Sequence, residues 1–274
     1  CTRITGKWVF PKNLIDQWIN TDAKQGIANV LEKSKNVDGA VLSAGSNDPN
    51  LDILLSYMKQ SYPDFYIFTS STGSTEGLRL LSKGYIDIAW CHLLDPKTGE
   101  YNIPYMSTYL PDMKIAVVHL FYRELGFITA PNTPFIIKDF SDLCQNGVNF
   151  INRQKGSGTR LLIDHCIHKS GVNVGEIKGY NKEVYTHVEV GLSILSGETN
   201  VGIGTVAIAK LFGLPFVPIV NESFDMVLSQ NMFFNKGVQA FIDTLNTKKF
   251  RKTISQLGNY DFNESGKIIY STSD

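Results

Sequence analysis

The sequence has no net charge, no long apolar run and no paired cysteines, and each absence removes a class of function. Lys+Arg and Asp+Glu cancel at 26 each, so no global field draws the whole chain to nucleic acid or acidic lipid. No apolar stretch approaches the roughly 18 residues of a membrane span. No signal-peptide pattern is visible, although a removed one would leave no trace. The four cysteines, Cys1, Cys91, Cys144 and Cys166, form no CxxC pair and read as buried or free thiols rather than a disulfide framework. The G-x-x-x-x-G-K-[ST] spacing of a phosphate loop is absent, which argues against nucleoside triphosphate chemistry. Gly202-Ile203-Gly204-Thr205 lacks the third glycine of a dinucleotide fingerprint. Gly156-Ser157-Gly158 has the wrong spacing for a hydrolase elbow. His165-Cys166-Ile167-His168 offers two ligands at helical spacing, but no further Cys/His cluster completes a metal site, so neither a metal nor a catalytic residue is expected.

What is present is an ordinary globular composition over 274 residues, with 43% hydrophobic and 19% charged residues, enough for one large domain or two smaller ones. The first stretch differs from the rest. Arg3 to Phe10 reads as two short strands around a turn at Gly6-Lys7, and Pro11 opens a helix with Leu14, Ile15, Trp18 and Ile19 on one face. Residues 21–37 read as a polar linker. From residue 38 strands alternate with helices. Strands are predicted at Ala40–Leu42, Phe65–Thr69, Ile86–Trp90, Phe150–Asn152, Val201–Ile203 and Phe216–Ile219. Helices are predicted over Leu51–Ser61, Glu76–Lys83, Arg160–Ser170, Lys236–Leu245 and Phe250–Leu257. That grammar implies βαβ crossovers, a parallel sheet and two α/β lobes facing each other across a cleft.

Three loops share one design, in which a strand ends, small hydroxyl residues and glycines turn, and a helix begins. They are Ser43–Asp48, Ser70–Glu76 and Lys155–Arg160. The first turn of a helix carries unpaired N–H groups and the positive end of the macrodipole, which together attract an anion. Ser and Thr add donors without charge, and Arg160 can add a bidentate contact. Helix capping alone would also select such residues.

The run Asn152-Arg153-Gln154-Lys155-Gly156-Ser157-Gly158-Thr159-Arg160 resembles the signature of the PBP-like domain found fused to helix-turn-helix regulators. The stretches Ala44–Pro49, Ala89–Asp95, Val201–Gly204 and Phe216–Pro218 fit the same pattern. That domain is related to periplasmic molybdate- and tungstate-binding proteins. The resemblance implies an α/β, two-lobed type II periplasmic-binding-protein fold over residues 38–274, with a ligand cleft between lobes. Lobe I takes about 38–114 and 215–274, and lobe II about 115–214, with crossings near Ile115 and Leu214. It implies an oxyanion such as molybdate or tungstate, and no cofactor, held by Ser46, Asn47, Ser74, Thr75, Ser157, Gly158, Thr159, Arg160, Tyr185 and Thr186.

Residues 1–20 in turn resemble the closing part of an excisionase-type winged helix-turn-helix domain. The pattern is Gly6-Lys7-Trp8-Val9-Phe10-Pro11 followed by Leu14-Ile15-Asp16-Gln17-Trp18-Ile19. Together the two resemblances imply a cytoplasmic sensing domain of a transcription regulator. Its partners would be a small anion and DNA, the latter through a domain mostly outside this chain, and it would form a homodimer because paired half-sites need a two-fold. The alternative is an extracytoplasmic solute-binding lipoprotein of a molybdate- or tungstate-type transporter, lipid-anchored through Cys1.

Overall fold

A computed structural model describes residues 2–4, 7–9 and 39–272. Its contacts divide the chain into Cys1–Ala40 and Val41–Asp274. In the first unit, β1 (Thr2–Ile4) pairs antiparallel with β2 (Lys7–Val9), Arg3 opposite Trp8, as the hairpin reading predicts. The helix expected from Pro11 and the linker over 21–37 lie outside the described residues.

The second unit is built on one nine-stranded sheet. It opens with β3 (Ala40–Gly45), α1 (Pro49–Ser61), β4 (Tyr66–Ser71), α2 (Ser74–Ser82), β5 (Ile88–Cys91) and α3 (Ile103–Tyr109). The long strand β6 (Ile115–Thr129) leads into β7 (Phe150–Arg153), α4 (Gly158–Lys169), β8 (Glu183–Val184), α5 (His187–Leu195), β9 (Val201–Thr205) and α6 (Val206–Phe212). A second long strand, β10 (Phe216–Ser229), returns, followed by α7 (Gln230–Phe233), α8 (Lys236–Leu245), α9 (Lys248–Ile254) and β11 (Ile268–Ser271). The spatial order is β4-β3-β5-β10-β6-β9-β7-β8, with β11 also on β6.

The expected wholly parallel sheet is corrected here. β3 and β5 run parallel, as do β9, β7 and β8, but β10 is antiparallel to both β5 and β6, and β6 is antiparallel to β9. The reason is that β6 and β10 are not crossover strands; they carry the chain from one lobe to the other and pair along their whole length. The change of lobe falls inside them rather than at their starts near Ile115 and Leu214. On β6, Val118, Leu120 and Phe121 pack in the lobe I core with Trp90, Phe241 and Phe250, whereas Leu125 and Phe127 pack with Phe150, Ile163 and Val201 of lobe II. On β10, Val217 and Val220 lie against the lobe II core, and Phe224 and Met226 belong to lobe I. Each large apolar side chain so buried contributes about 1.5–3 kcal/mol relative to exposure.

Local signals set the helix starts that matter for the cleft. Asp48 caps α1 by accepting from the Asn50 amide at 2.7 Å, and Pro49 sits where a missing N–H costs nothing. Ser157 caps α4, accepting from the Arg160 amide at 3.2 Å. Thr186 and Glu189 close a reciprocal capping box on α5.

Candidate functional site

The strand ends of both lobes bring the three predicted loops together. Ser46, after β3, and Ser74, opening α2, touch through their hydroxyls at 2.7 Å, and both are buried. The Ser74 oxygen also accepts from the His92 amide at 3.2 Å. From lobe II, Gly156 meets Thr75, whose hydroxyl donates to the Gly156 carbonyl at 2.8 Å and whose amide donates to it at 3.4 Å. Gly158 lies against His92 so closely that a Cβ there would overlap the His92 carbonyl oxygen and sit 2.8 Å from its ring. The lobes are therefore closed on each other, with the loop Gly73–Thr75 latched to the loop Gly156–Gly158.

Between them lies a buried charged cluster where the long strands change lobe. Arg123 of β6 donates from Nε to Glu222 Oε1 at 2.7 Å and from Nη1 to Asp48 Oδ2 at 2.5 Å, and also to the Asn47 carbonyl at 3.2 Å. Tyr260 donates to the other Asp48 oxygen at 2.9 Å, and His92 Nδ1 lies 3.0 Å from Glu222 Oε2. Burial pushes the Glu222 carboxyl up, but His92 and Arg123 outweigh it and hold it at about 2. Behind this cluster, Asp225 holds Asn102 Nδ2 at 2.6 Å, His119 Nδ1 at 2.8 Å and Ser223 Oγ at 2.7 Å.

One group in the cluster is only partly hydrogen-bonded. Arg153, at the end of β7, is 4% exposed, and its Nη2 donates to the Tyr185 carbonyl at 2.7 Å. Its Nε and Nη1 have no hydrogen-bond partner. Burial, aided by the charge of Arg123, pulls this guanidinium down to about 9 against the pull of Glu222 and Glu189. A buried cation with two open donors calls for an anion. Thr159 Oγ1, Thr205 Oγ1 and His187 Nδ1, from the neighbouring helix starts and strand end of lobe II, are also buried without a partner.

The predicted residues thus divide into groups. Ser46, Ser74 and Thr159 offer hydroxyls within the closed cleft. Gly158 supplies close backbone approach, and Asn47 gives its carbonyl to Arg123. Thr75 forms the latch between lobes. The hydroxyls of Ser157 and Thr186 cap their helices, Ser157 donating to the Gln154 carbonyl and Thr186 to Glu189. Tyr185 contributes its carbonyl to Arg153 while the side chain stays 63% exposed. Arg160, expected to clamp the anion, has its guanidinium taken by Asp164 at 2.8 Å and Glu183 at 2.7 Å, stacked 4.7 Å from the Tyr180 ring. Sequence reasoning missed Arg153, Arg123, Glu222 and His187. A partial signal was available: Arg123 follows the largely apolar run Ile115–Tyr122, and Arg153 closes the short strand Phe150–Arg153. Among the described residues no group of three or more His, Cys, Asp or Glu side chains is placed to hold a metal ion, and no helix is long and apolar enough to cross a membrane.

Comparison with known proteins agrees with this fold. The chain is 29% identical over 251 residues to the uncharacterised protein YvgK of Bacillus subtilis, covering 91% of this chain and 80% of YvgK. Among solved structures it resembles a Clostridium perfringens protein described as a phosphate ABC transporter substrate-binding protein with bound phosphate. That likeness has a TM-score of 0.60 and 17% identity, and covers 79% of this chain and 97% of the other. It also resembles the tungstate ABC transporter structure from Geobacter sulfurreducens, with a TM-score of 0.58 and 15% identity over 80% of this chain and 99% of the other. A third is the regulatory domain of CcmR from Synechocystis PCC6803 in complex with 2-PG, with a TM-score of 0.57 and 17% identity over 76% and 95%. At such identities these structures speak to the fold alone, the two-lobed periplasmic-binding-protein fold. A family model described as a PBP superfamily domain matches residues 55–246, and the chain belongs to that superfamily of small-ligand-binding domains.

Proposed function

We propose that this domain binds a fully ionised oxyanion, molybdate or tungstate first among them, and reports it as the sensing domain of a DNA-binding transcription regulator. The observation that carries the anion is Arg153, buried with two open donors at the end of β7, where the loop that follows meets the Ser74 helix start of the other lobe. The preference for an unprotonated anion rests on the acceptors. A hydrogenphosphate is best held by an open carboxylate that accepts its proton, and every carboxylate around the cluster already accepts from other groups: Asp48 from Arg123 and Tyr260, Glu222 from Arg123 and His92, Asp225 from Asn102, His119 and Ser223. Molybdate, tungstate and sulfate carry no such proton at neutral pH. The regulatory role, with its DNA partner, cytoplasmic setting and homodimer, rests on the likeness of residues 1–20 to an excisionase-type wing.

Calorimetric titration with molybdate, tungstate, sulfate and phosphate tests the ligand. Micromolar or tighter binding of molybdate or tungstate, at least tenfold tighter than phosphate, is expected. No binding of any of the four would sink the oxyanion reading, and a preference for phosphate would sink the argument from occupied carboxylates.

A further inference from the structure

The cluster contains a second group with no partner, and its surroundings say what it does when an anion arrives. His187 opens α5 and is 1% exposed, with Nδ1 unpartnered. That nitrogen lies about 3.6 Å from where a Cβ on Gly204 would sit, at the end of β9. The charged groups that act on it are Arg153 at the end of β7, Arg123 on β6 and His92 after β5, all positive or able to become so. α5 packs against β9, α6, β7 and β8. β9 brings no ionisable side chain, and the one on α6, Lys210, is exposed. Glu183 of β8 is paired with Arg160, and Glu189 on α5 itself accepts from Tyr185 and Thr186. No carboxylate is hydrogen-bonded to the imidazole, and the helix N-terminus adds a further positive pole.

We propose that His187 is a ligand-facing residue of the cleft that binds the anion as its imidazolium, so that each bound dianion brings one proton in with it. The inference rests on the oxyanion reading above. The charges of the cluster favour it: Arg153 has open donors, but with both imidazoles neutral the guanidiniums of Arg123 and Arg153 already face Asp48, Glu222 and, behind them, Asp225, so a dianion would enter a site with no positive charge to spare. A proton on His187 offsets half of that added charge at the position where no carboxylate already does so. His92 differs in having Glu222 on its Nδ1, which already supports its charged form in the free protein, so an arriving anion changes its surroundings less. In the free protein burial and the neighbouring cations hold His187 well below its ordinary value, and a bound anion reverses the sign of its surroundings. The proton comes from solvent and only the imidazole changes state.

Calorimetry with tungstate at pH 7.5, in buffers of different ionisation enthalpy, counts the protons taken up per anion. About one is expected, with affinity falling roughly tenfold per pH unit over the window between the free and bound values of His187. His187→Asn should bring the count near zero and flatten the pH dependence, and His92→Gln should keep both. Should His187→Asn not fold, the imidazole NMR signals of the unaltered chain decide, one ring moving to its imidazolium position on adding tungstate. Tungstate binding with no proton taken up would overturn this inference and leave the anion cleft standing, as would uptake lost in His92→Gln but kept in His187→Asn. Binding of none of the four oxyanions would remove both readings.

Discussion

Arg160 donates from Nη1 to the main-chain carbonyl of Arg153 at 3.1 Å, so one arginine of the Arg153–Arg160 run braces the backbone of the other. The brace is anchored outward, through Asp164 and Glu183, whereas the braced residue faces inward with two donors open. Within eight residues the chain thus supplies both a charge for a ligand and the strut that fixes its position. The loop between them, with Gly156 at φ +87°, touches the other lobe. On the proposed reading, ligand capture and lobe closure share one short segment.

That division makes the two arginines separable. Arg153→Met should lower tungstate affinity about 100-fold, the equivalent of one or two charge-assisted hydrogen bonds at about 1.5–3 kcal/mol each. It should leave the ligand-free melting temperature unchanged or higher, because a buried charge with two open donors is removed. Arg160→Met should do the reverse, costing about 1–2 kcal/mol of stability with affinity changed by only a fewfold, since Asp164 and Glu183 are partly exposed. Paired calorimetry and thermal melts check both. An Arg153→Met protein that melts early but still binds would make that residue structural.

Closure is tested at Gly158. Because a Cβ there would overlap the His92 carbonyl, Gly158→Ala should hold the lobes apart while leaving each lobe folded. The expected outcome is a larger radius of gyration in solution scattering and at least a tenfold loss of affinity, with secondary structure intact by circular dichroism. Thr75→Val removes only the hydroxyl half of the latch. It should cost less, about 1 kcal/mol, read as a fivefold faster release of ligand.

Much of the frame was legible in the sequence because it depends on local periodicity. The Lys236–Leu245 helix coincides with its prediction, and the short parallel strands fall within a few residues of theirs. The long strands were not legible for a physical reason. β6 and β10 pass through two cores, so Ile115–Thr129 is nearly continuously buried and shows no alternation, and the strand predicted over Phe216–Ile219 stops short of the polar run Asn221-Glu222-Ser223 that β10 continues through. The same passage hid the charged cluster, since Arg123, Asp48 and Glu222 lie up to 174 residues apart in sequence. The loops were found, but their hydroxyls could not be sorted from sequence into helix caps, a lobe latch and open donors. A cap and a ligand contact ask for the same residue types at the same position.

The cluster around Arg123 predicts a large stability effect. Arg123→Met would leave Asp48 and Glu222 buried without their cation, and should destabilise the protein by about 3–5 kcal/mol in urea denaturation. Tyr260→Phe removes one hydrogen bond to Asp48 and should cost about 1 kcal/mol. A double variant that also carries Glu222→Gln should recover part of the Arg123→Met loss, because one of the two stranded charges is gone. Additive losses would mean that the two side chains act independently.

The ligand-free protein should lose stability as pH falls from 7 to 5, and the sign follows from its buried imidazoles. His92 and His187 are both held below the ordinary histidine value, burial being the larger cause in each. Below about pH 6.5 the unfolded chain takes up protons that the folded chain refuses, so unfolding is favoured by as much as about 1.4 kcal/mol per pH unit for each such group. Glu222 works in a different window. Its folded value of about 2 lies below the ordinary 4.5, so its contribution is intact above pH 4.5 and is lost only as pH falls from there toward 2. The decline between pH 6.5 and 5 therefore belongs to the histidines, and His187→Asn should make it shallower by about half. Urea midpoints at half-unit steps of pH measure the slope, and a profile flat from pH 7 to 5 would mean that these imidazoles are as easily protonated in the fold as in water.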